Sequence, residues 1–384
     1  MERRILDGVR VVDITQVIAG PLCGRMLADL GADVIKIDRL PPEGAAEPVR
    51  SNAAGAAHNR GTRSIAIDLG SAEGLEVARE LIGRGDVVLE NFRPGVMARL
   101  GLGYEQLSAG QPRLIYASIS GFGQEGSQAA RRAYGSTGHA EGGLLWLQQQ
   151  ALGSDAPFAP GLTVADIATG MNAFSGVLAA LYDREQTGRG QQVDVTLVES
   201  QFAMLFESAG LALNGGMPEG WRPFRHPIFA AKDGHVCINP GGPSVWGPIA
   251  AGLGHAGAPR PGAMPQFLEV VGAWTAELTV AEIRSGMEAE GAPFGVVRSI
   301  DEVVREPYFT ERGMIAEVPD PIDGTMRAIS SPLHFSEASS TPTGAPPLAG
   351  EQTREVLREE LGYSEERVEA LLGGGAVGEQ AAPR

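Results

Sequence analysis

Cysteine and lysine are scarce in this chain of 384 residues. Its cysteines are Cys23 and Cys237, and its lysines are Lys36 and Lys232. The two cysteines are far apart and lack the spacing of metal ligands, which argues against a disulfide scaffold and against a zinc site. The six histidines are scattered, so neither a histidine metal cluster nor a serine triad is expected. We therefore predict no metal site, and the cysteine usage indicates a cytoplasmic location.

Long apolar runs and an excess of positive charge are also missing. No run of about 18 apolar residues is present, so no membrane span is expected, and the N-terminus lacks the apolar core of a signal peptide. The formal net charge of −16 argues against nucleic acid as the main partner, because a polyphosphate needs a basic surface. A small anionic ligand needs only a local cluster, and arginine, the main cation here, can bind phosphate through two parallel hydrogen bonds.

Short β-branched runs alternate with helical stretches over the first two hundred residues. The predicted strands are 9–14, 32–37, 63–67, 87–89, 114–118 and 191–197, and the predicted helices are 22–30, 71–82, 162–184 and 199–214. Ser71 is a predicted N-cap. This alternation indicates an α/β fold with a parallel sheet and helices on both faces.

The pattern changes from Phe229 onward, and proline and glycine become dense around residues 240–264. We predict a large α/β domain over 1–205, a linker over 206–225, a small α+β domain over 226–330, and a linker with C-terminal helices over 331–384 that return to the large domain. The C-terminal helices are predicted at 351–360 and 364–372, and the tail after Gly373 is expected to be disordered.

The glycines at 121, 123 and 126 match the pattern G-x-G-x-x-G after a predicted strand. A dinucleotide site would also need a helix that opens at once and an acidic residue about 20 positions later, after a second strand. No clear strand precedes Glu141. We interpret the segment as a flexible loop that contacts a substrate or turns the chain.

Asp166 lies in the first turn of an otherwise apolar predicted helix. A carboxylate there can simply be favoured by the helix dipole. The same position suits a covalent nucleophile, because helix N–H groups hold the anion and apolar neighbours exclude its water. His139 is a lone helical histidine that can be structural or catalytic. The residues alone leave these alternatives open.

Several segments, in order along nearly the whole chain, form a longer pattern. They are 6–14, 19–21, 26–37, 59–65, 90–104, 120–124, 165–170, 188–194, 350–353 and 361–364. The most specific is Glu-Asn-Phe-Arg-Pro-Gly at 90–95. Together they resemble the class III CoA-transferases, the family of formyl-CoA:oxalate and carnitine CoA-transferases, which is related to the α-methylacyl-CoA racemases.

The resemblance implies a doubly wound, Rossmann-like large domain, a smaller α+β domain, and a homodimer of two interlocked chains. It implies Asp166 as the nucleophile and places the following residues around CoA: Ile18, Ala19, Arg39, Asn91, Phe92, Arg93 and Arg99. Arginines can bind the phosphates of CoA, and its flat adenine needs apolar walls. Coenzyme A would be a co-substrate, with no other cofactor. The partners would be an acyl-CoA and a small carboxylic acid, with no nucleic acid and no membrane.

The implied reaction is CoA transfer from an acyl-CoA to a carboxylate through an aspartyl mixed anhydride and an aspartyl-CoA thioester. Each tetrahedral stage needs an oxyanion donor. The candidates are a backbone N–H near Gly138 and the loop 240–244 with Gly241 and Gly242, which loosely resembles a glycine-rich loop of the family.

Gly70 stands where many family members have lysine, and Gly135 stands where transferases often have aspartate. Racemases have Gly-His-Asp near 133–135, whereas His139 lies further along the chain. One alternative is a 2-methylacyl-CoA racemase or epimerase that uses His139 and Asp166, since proton exchange at carbon needs a base on each face. The other is a non-catalytic CoA-binding paralogue, since a fold does not determine a function.

Overall fold

A computed structural model of the chain describes residues 3–42, 48–51, 57–223 and 226–380. The chain divides into two compact units. The first unit comprises Met1–Glu219 together with Thr310–Arg384, and the second comprises Gly220–Phe309.

The strands, in chain order, are β1 (Arg10–Asp13), β2 (Asp33–Asp38), β3 (Arg63–Ile67), β4 (Val87–Glu90), β5 (Ile115–Ser120), β6 (Gln192–Thr196), β7 (Ile228–Ala231), β8 (Gly234–Cys237), β9 (Gly295–Val296), β10 (Ile315–Asp320), β11 (Gly324–Ile329) and β12 (Val377–Gly378). The helices are α1 (Ala19–Asp29), α2 (Ala72–Ile82), α3 (Val96–Arg99), α4 (Tyr104–Ser108), α5 (Gly135–Glu141), α6 (Leu144–Leu152), α7 (Val164–Thr187), α8 (Leu197–Ala203), α9 (Phe206–Leu213), α10 (Pro243–Gly252), α11 (Met264–Ala276), α12 (Val280–Ala289), α13 (Ile300–Val303), α14 (Pro307–Glu311), α15 (Thr353–Glu355), which continues as a π-helical turn over Val356–Glu360, and α16 (Glu365–Gly373).

A seven-stranded sheet in the order β12–β3–β2–β1–β4–β5–β6 forms the centre of the first unit. Strands β1 to β6 pair in parallel, and β12 joins β3 in antiparallel. The order 3-2-1-4-5-6 is that of the doubly wound Rossmann arrangement, in which ligands bind outside the carboxyl ends of the strands. The predicted fold class is therefore confirmed.

Two apolar clusters cover the two faces of this sheet. On one face, Ile35 and Val88 pack with α2 and the C-terminal helices. On the other face, Val34 and Leu89 pack with α1 and α7. Neighbouring residues of one strand point to opposite faces, so a strand covered on both sides must be apolar throughout. This explains the uninterrupted β-branched runs in the sequence.

Helix α7 is long and apolar enough to cross a membrane on length and composition alone, with a mean hydropathy of 1.4 in its most apolar stretch. In this fold it is a core helix, since it packs on α1 with Ala173, Val177 and Ala180 buried. The contact is close. A Cβ atom added at Gly170 would lie 2.7 Å from the carbonyl oxygen of Ala19.

The C-terminal segment packs on the first unit. Its two helical segments are separated at Gly362, which has a φ of 72°. The expectation of a disordered tail after Gly373 is wrong for the residues that the structure describes, because Val377 pairs with Ile67 and Gly378 pairs with Ala66. The edge of β3 offers unpaired backbone groups, and this short strand satisfies them.

The second unit has its own core and a three-stranded antiparallel sheet, β7–β8–β9. Phe229, Trp246, Phe267 and Met287 are buried in that core. The β10–β11 hairpin groups with the first unit, where Asp320 accepts two hydrogen bonds from Arg50. The sequence-based domain boundaries at 205, 226 and 330 remain predictions.

Most predicted elements occur within two or three residues of their expected bounds. Ser71 caps α2 as predicted, and its Oγ accepts a hydrogen bond of 3.0 Å from the N–H of Gly74. The predicted helix over 199–214 is in fact two helices, α8 and α9, with a break between Ala203 and Phe206. No glycine or proline marks that break in the sequence.

Candidate active site

Asp166 lies in the first turn of α7, as predicted, and only 9% of its surface is exposed. Burial raises the pKa of its carboxyl group above the ordinary value, and a hydrogen bond from its own backbone N–H opposes the rise. A carboxylate that has lost most of its hydration but keeps an N–H donor suits nucleophilic attack.

His139 holds the turn that contains Asp166. Its Nε2 atom accepts a hydrogen bond of 3.1 Å from the backbone N–H of Ala165. The ring is 5% exposed, and burial lowers its pKa. An N–H can donate only to an unprotonated ring nitrogen, so this hydrogen bond requires the neutral form of His139 with its proton on Nδ1.

Helix α5 packs on α7 and α8 through glycines. A Cβ atom at Gly138 would lie 2.7 Å from the Cβ of Ala165, and one at Gly142 would lie 2.5 Å from the Cγ of Gln201. The N–H of Gly138 donates to the carbonyl of Tyr134 at 3.2 Å. The N–H of Gly138 itself is therefore engaged within the helix, and the expectation of an oxyanion donor near Gly138 remains a prediction.

The loop between β1 and α1 is held by two polar networks. Asn91 binds the backbone of Gln16 twice, since its Oδ1 accepts the N–H at 2.9 Å and its Nδ2 donates to the carbonyl at 2.7 Å. Beneath the loop, Lys36 donates to Asp13 at 3.0 Å and also to the carbonyl of Thr15. The side-chain amide of Asn91 thus shapes the site through Gln16.

Backbone strain occurs in the same loop. Val17 has a φ of 71°, and it is the non-glycine residue with positive φ in the part of the chain that the structure describes. A β-branched residue is unfavourable in that region, so the surrounding network must impose this conformation.

A cavity of about 250 Å³ lies at the carboxyl ends of the central strands, beside Asp166. It brings together six of the predicted site residues, namely Ile18, Ala19, Arg39, Asn91, Phe92 and Asp166. This placement follows the rule that open α/β sheets bind ligands at the carboxyl edge.

A second cavity, of about 540 Å³, adjoins the first, because Gln16, Arg39 and Phe92 line both. Its other walls are mostly apolar and include Leu69 and Gly70. Asp38 and Asp68 also line this cavity. Its apolar walls suit a flat ring, and Arg39 is a cation that can bind phosphate.

Two predicted CoA residues lie apart from these two cavities. Arg93 lines a third cavity, of about 250 Å³, together with Glu90 and Gln124. Glu90 is 3% exposed, and burial raises its pKa to about 7, although hydrogen bonds from Ser118 and from the N–H of Phe92 oppose the shift. Arg99 ends the short helix α3 and lines none of these three cavities.

The remaining predicted residues lie in loops. Gly241 and Gly242 precede α10 in the second unit, and Gly241 has a φ of 54°. The glycines at 121–126 follow β5, but the next helix begins only at Gly135. The helix that a dinucleotide site requires directly after the glycines is therefore missing from this described segment.

Sequence reasoning missed Gln16 and Tyr134, both of which line the cavity beside Asp166. Gln16 follows β1 at the carboxyl edge of the sheet, so the topological rule could have identified it. Tyr134 falls within the family resemblance, which aligns it with the tyrosine of a Tyr-Asp pair, but it was not counted among the site residues. Among the described residues, no group of three His, Cys, Asp or Glu side chains could hold a metal ion.

The chain is similar in sequence to a family of known proteins. A sequence profile of CoA-transferase family III matches residues 6–353. The chain is 30% identical to succinyl-CoA:glutarate CoA-transferase of Mus musculus, with 97% of this chain and 90% of that protein aligned. It is also 30% identical to formyl-CoA:oxalate CoA-transferase of Streptomyces coelicolor, with 98% and 100% aligned.

A solved structure shows the same fold. The crystal structure of a CAIB/BAIF family protein from Brucella suis superposes with a TM-score of 0.79 at 30% identity. The match covers 94% of this chain and 100% of that one.

Proposed function

We propose that this chain, which belongs to CoA-transferase family III and is a class III CoA-transferase, transfers CoA from an acyl-CoA to a small carboxylic acid through a covalent bond to Asp166. The observation that supports this assignment is the position of Asp166. Its buried carboxyl group lines a cavity that continues, past Arg39, into an apolar cavity large enough for a nucleotide base.

The reaction proceeds in four substitutions at carbonyl carbon. An oxygen of Asp166 attacks the thioester carbonyl, the C–S bond breaks, and CoA leaves as a thiolate from a mixed anhydride. The thiolate attacks the aspartyl carbonyl, which expels the donor carboxylate and leaves an aspartyl-CoA thioester. The acceptor carboxylate then displaces the thiolate to form a second anhydride. The returning thiolate takes the acceptor acyl group, which restores Asp166 without net proton transfer.

CoA lies along the carboxyl edge of the sheet in this proposal. Its adenine occupies the cavity lined by Leu69 and Gly70, and Arg39 meets its phosphates. The thioester then reaches Asp166 past Phe92, which lines both cavities. Arg93 and Arg99, both exposed, add positive charge beside this path. Coenzyme A is a co-substrate, and we propose no further cofactor.

The position of His139 favours transfer over racemisation. A racemase would use a histidine as a carbon base, but the Nε2 lone pair of His139 is occupied by the N–H of Ala165. Several relatives that align over nearly the whole chain are named CoA-transferases, which also weighs against a non-catalytic paralogue.

The decisive experiment is mass spectrometry of the intact protein after incubation with single acyl-CoAs. Succinyl-CoA and formyl-CoA are the first donors, because the named relatives use them. We expect a covalent adduct that peptide mapping places on Asp166 and that hydroxylamine converts to a hydroxamate. The Asp166→Asn variant should bind CoA without forming the adduct. Normal exchange by that variant would exclude Asp166 as the nucleophile.

We also propose a homodimer, which supplies a partner for an exposed apolar surface on α6, α8 and α9. Trp146, Phe202, Phe206 and Leu213 are 48–76% exposed. Large exposed apolar patches on soluble proteins mark interaction sites. Sedimentation equilibrium should show a dimer, and Phe206→Glu should lower the yield of assembled dimer on refolding, whereas Ala72→Glu, on the exposed start of α2, should leave that yield unchanged. A monomeric wild-type protein would refute the dimer.

The cellular location is a separate proposal. We propose a cytoplasmic enzyme that works without a membrane or nucleic acid partner, in line with its acidic net charge of −16. Cell fractionation with an antibody against the chain tests this directly.

A further inference from the structure

Gly135, the first residue of α5, faces the carboxylate of Asp166. A Cβ atom built on Gly135 would lie 1.9 Å from Oδ2 of Asp166 and 3.0 Å from Cγ. Non-bonded atoms cannot approach so closely. The φ of Gly135 is not positive, so its backbone would accept other residues. Glycine is therefore required here for space, as long as the carboxylate keeps its present conformation.

The other glycines of α5 have a different role. Gly138 faces Ala165, and Gly142, which follows the last residue of α5, faces Gln201, so both serve helix packing. At Gly135, by contrast, the carboxylate of Asp166 occupies the space that a Cβ atom would fill.

Neither helix can easily move to admit a side chain at 135. Helix α5 is attached to α7 by the hydrogen bond between His139 and Ala165. Helix α7 is in turn pressed against α1, where Gly170 meets the carbonyl of Ala19. Rotation of the Asp166 side chain is the cheapest way to relieve a clash with Oδ2, because the rotation leaves both helices in place.

We propose that Gly135 is a positioning residue for Asp166, because its missing side chain gives the carboxylate a place against the start of α5 from which it attacks. This inference rests on the proposed function. Since a misplacement of about 1 Å can cost about 100-fold in rate, Gly135→Ala should lower kcat by about 10- to 100-fold. The larger cavity, where the adenine is proposed to bind, is lined by neither residue 135 nor Asp166, so KM for the acyl-CoA should change by less than about 2-fold.

The kinetic test compares Gly135→Ala with Gly161→Ala. Gly161 precedes α7, and a Cβ atom there meets nothing within 4 Å. We expect the control to keep the wild-type kcat. An unchanged kcat in Gly135→Ala, or a loss that appears mainly in KM, would overturn the proposal. Failure of the proposed function would show differently, as a wild-type protein that forms no adduct at Asp166.

A second measurement does not depend on turnover. The thermal midpoint is measured for Gly135→Ala in the wild-type background and in the Asp166→Ala background, which removes Oδ2, Oδ1 and Cγ. We expect the substitution to destabilise the wild-type background more than the Asp166→Ala background. Equal effects in both backgrounds would overturn the proposal. If Gly135→Ala does not fold, folding of the double variant supports the proposal, and its failure to fold refutes it.

Discussion

The backbone N–H of Ala165 donates a hydrogen bond of 3.1 Å to Nε2 of His139, which connects the turn of the candidate nucleophile to helix α5. The two residues are 26 positions apart in sequence. The bond satisfies one of the free N–H groups at the start of α7 and fixes the orientation of that turn. His139 therefore acts on Asp166 through the backbone.

Replacement of His139 tests this role. His139→Phe removes the acceptor but keeps a ring, so we expect kcat to fall by about 10-fold or more, in line with a lost buried hydrogen bond of about 1–3 kcal/mol. His139→Gln offers an oxygen acceptor and should retain more of the activity. Steady-state kinetics will compare the kcat of the two variants, and the affinity of each for CoA will show whether binding is intact. Equal activity in both variants would contradict the positioning role.

The same bond predicts a dependence of stability on pH. Burial lowers the pKa of His139 below its ordinary value of 6.5. With a lowered pKa in the folded state, the unfolded chain binds the proton more readily. The contribution of His139 to stability is therefore present above pH 6.5 and is lost as the pH falls through the lower pKa of the folded state. Thermal melts of wild type and His139→Gln should diverge below pH 6.5. Parallel curves would refute a buried neutral histidine.

Lys36 and Asp13 form an ion pair of 3.0 Å that is almost fully buried, with side chains 1% and 0% exposed. Lys36→Met would leave the Asp13 carboxylate without its cation, and such a loss costs about 3–5 kcal/mol. Asp13→Asn should cost less, because Thr15 can still donate to the amide oxygen. Urea unfolding of both single variants and of the double variant gives the coupling energy. A coupling near zero would show that the pair is not essential to the loop above it.

Glu90 should make stability depend on pH in the opposite sense. Burial raises its pKa from 4.5 to about 7. The folded state therefore favours the protonated acid, and the contribution of Glu90 is full below pH 4.5 and is lost as the pH rises through about 7. The cost at higher pH is a few kcal/mol, on the order of 3, by the conversion of about 1.4 kcal/mol per pKa unit.

Glu90→Gln mimics the protonated acid and can keep both hydrogen bonds, to Ser118 and to the N–H of Phe92. We expect it to match wild type in unfolding free energy near pH 5 and to exceed it near pH 8. If wild type and variant respond equally over this range, Glu90 is not the titrating group.

Gly70 offers a gain of function. It lines the larger cavity, and its nearest contact for a Cβ atom is Oδ1 of Asp68 at 3.1 Å. Gly70→Lys should tighten CoA binding by about 5-fold at low ionic strength, as one exposed charge pair of about 1 kcal/mol would. Calorimetry at two salt concentrations measures the dissociation constant for CoA, with Gly70→Met as the uncharged control. Equal affinities for the two variants would place the CoA phosphates elsewhere.

Local sequence patterns predicted the first unit well. Its strands are apolar along their whole length because both faces of the sheet are covered, and Ser71 shows its capping chemistry directly in the sequence. The C-terminal strand was missed, because Val377 and Gly378 become a strand only by pairing with residues some 310 positions earlier in the chain. Such a contact leaves no local periodicity to detect.

The sequence by itself determined the alternation of strands and helices, the placement of Asp166 in the first turn of α7, and the motifs that indicated a CoA-transferase. Only the tertiary structure decided what surrounds that carboxylate. Gly135 faces its Oδ2 atom and His139 binds the preceding N–H because α5 packs against the start of α7. Local propensity depends on neighbours along the chain, whereas close packing of two helices depends on the shapes of both surfaces. The surroundings of the nucleophile are therefore a property of the folded molecule.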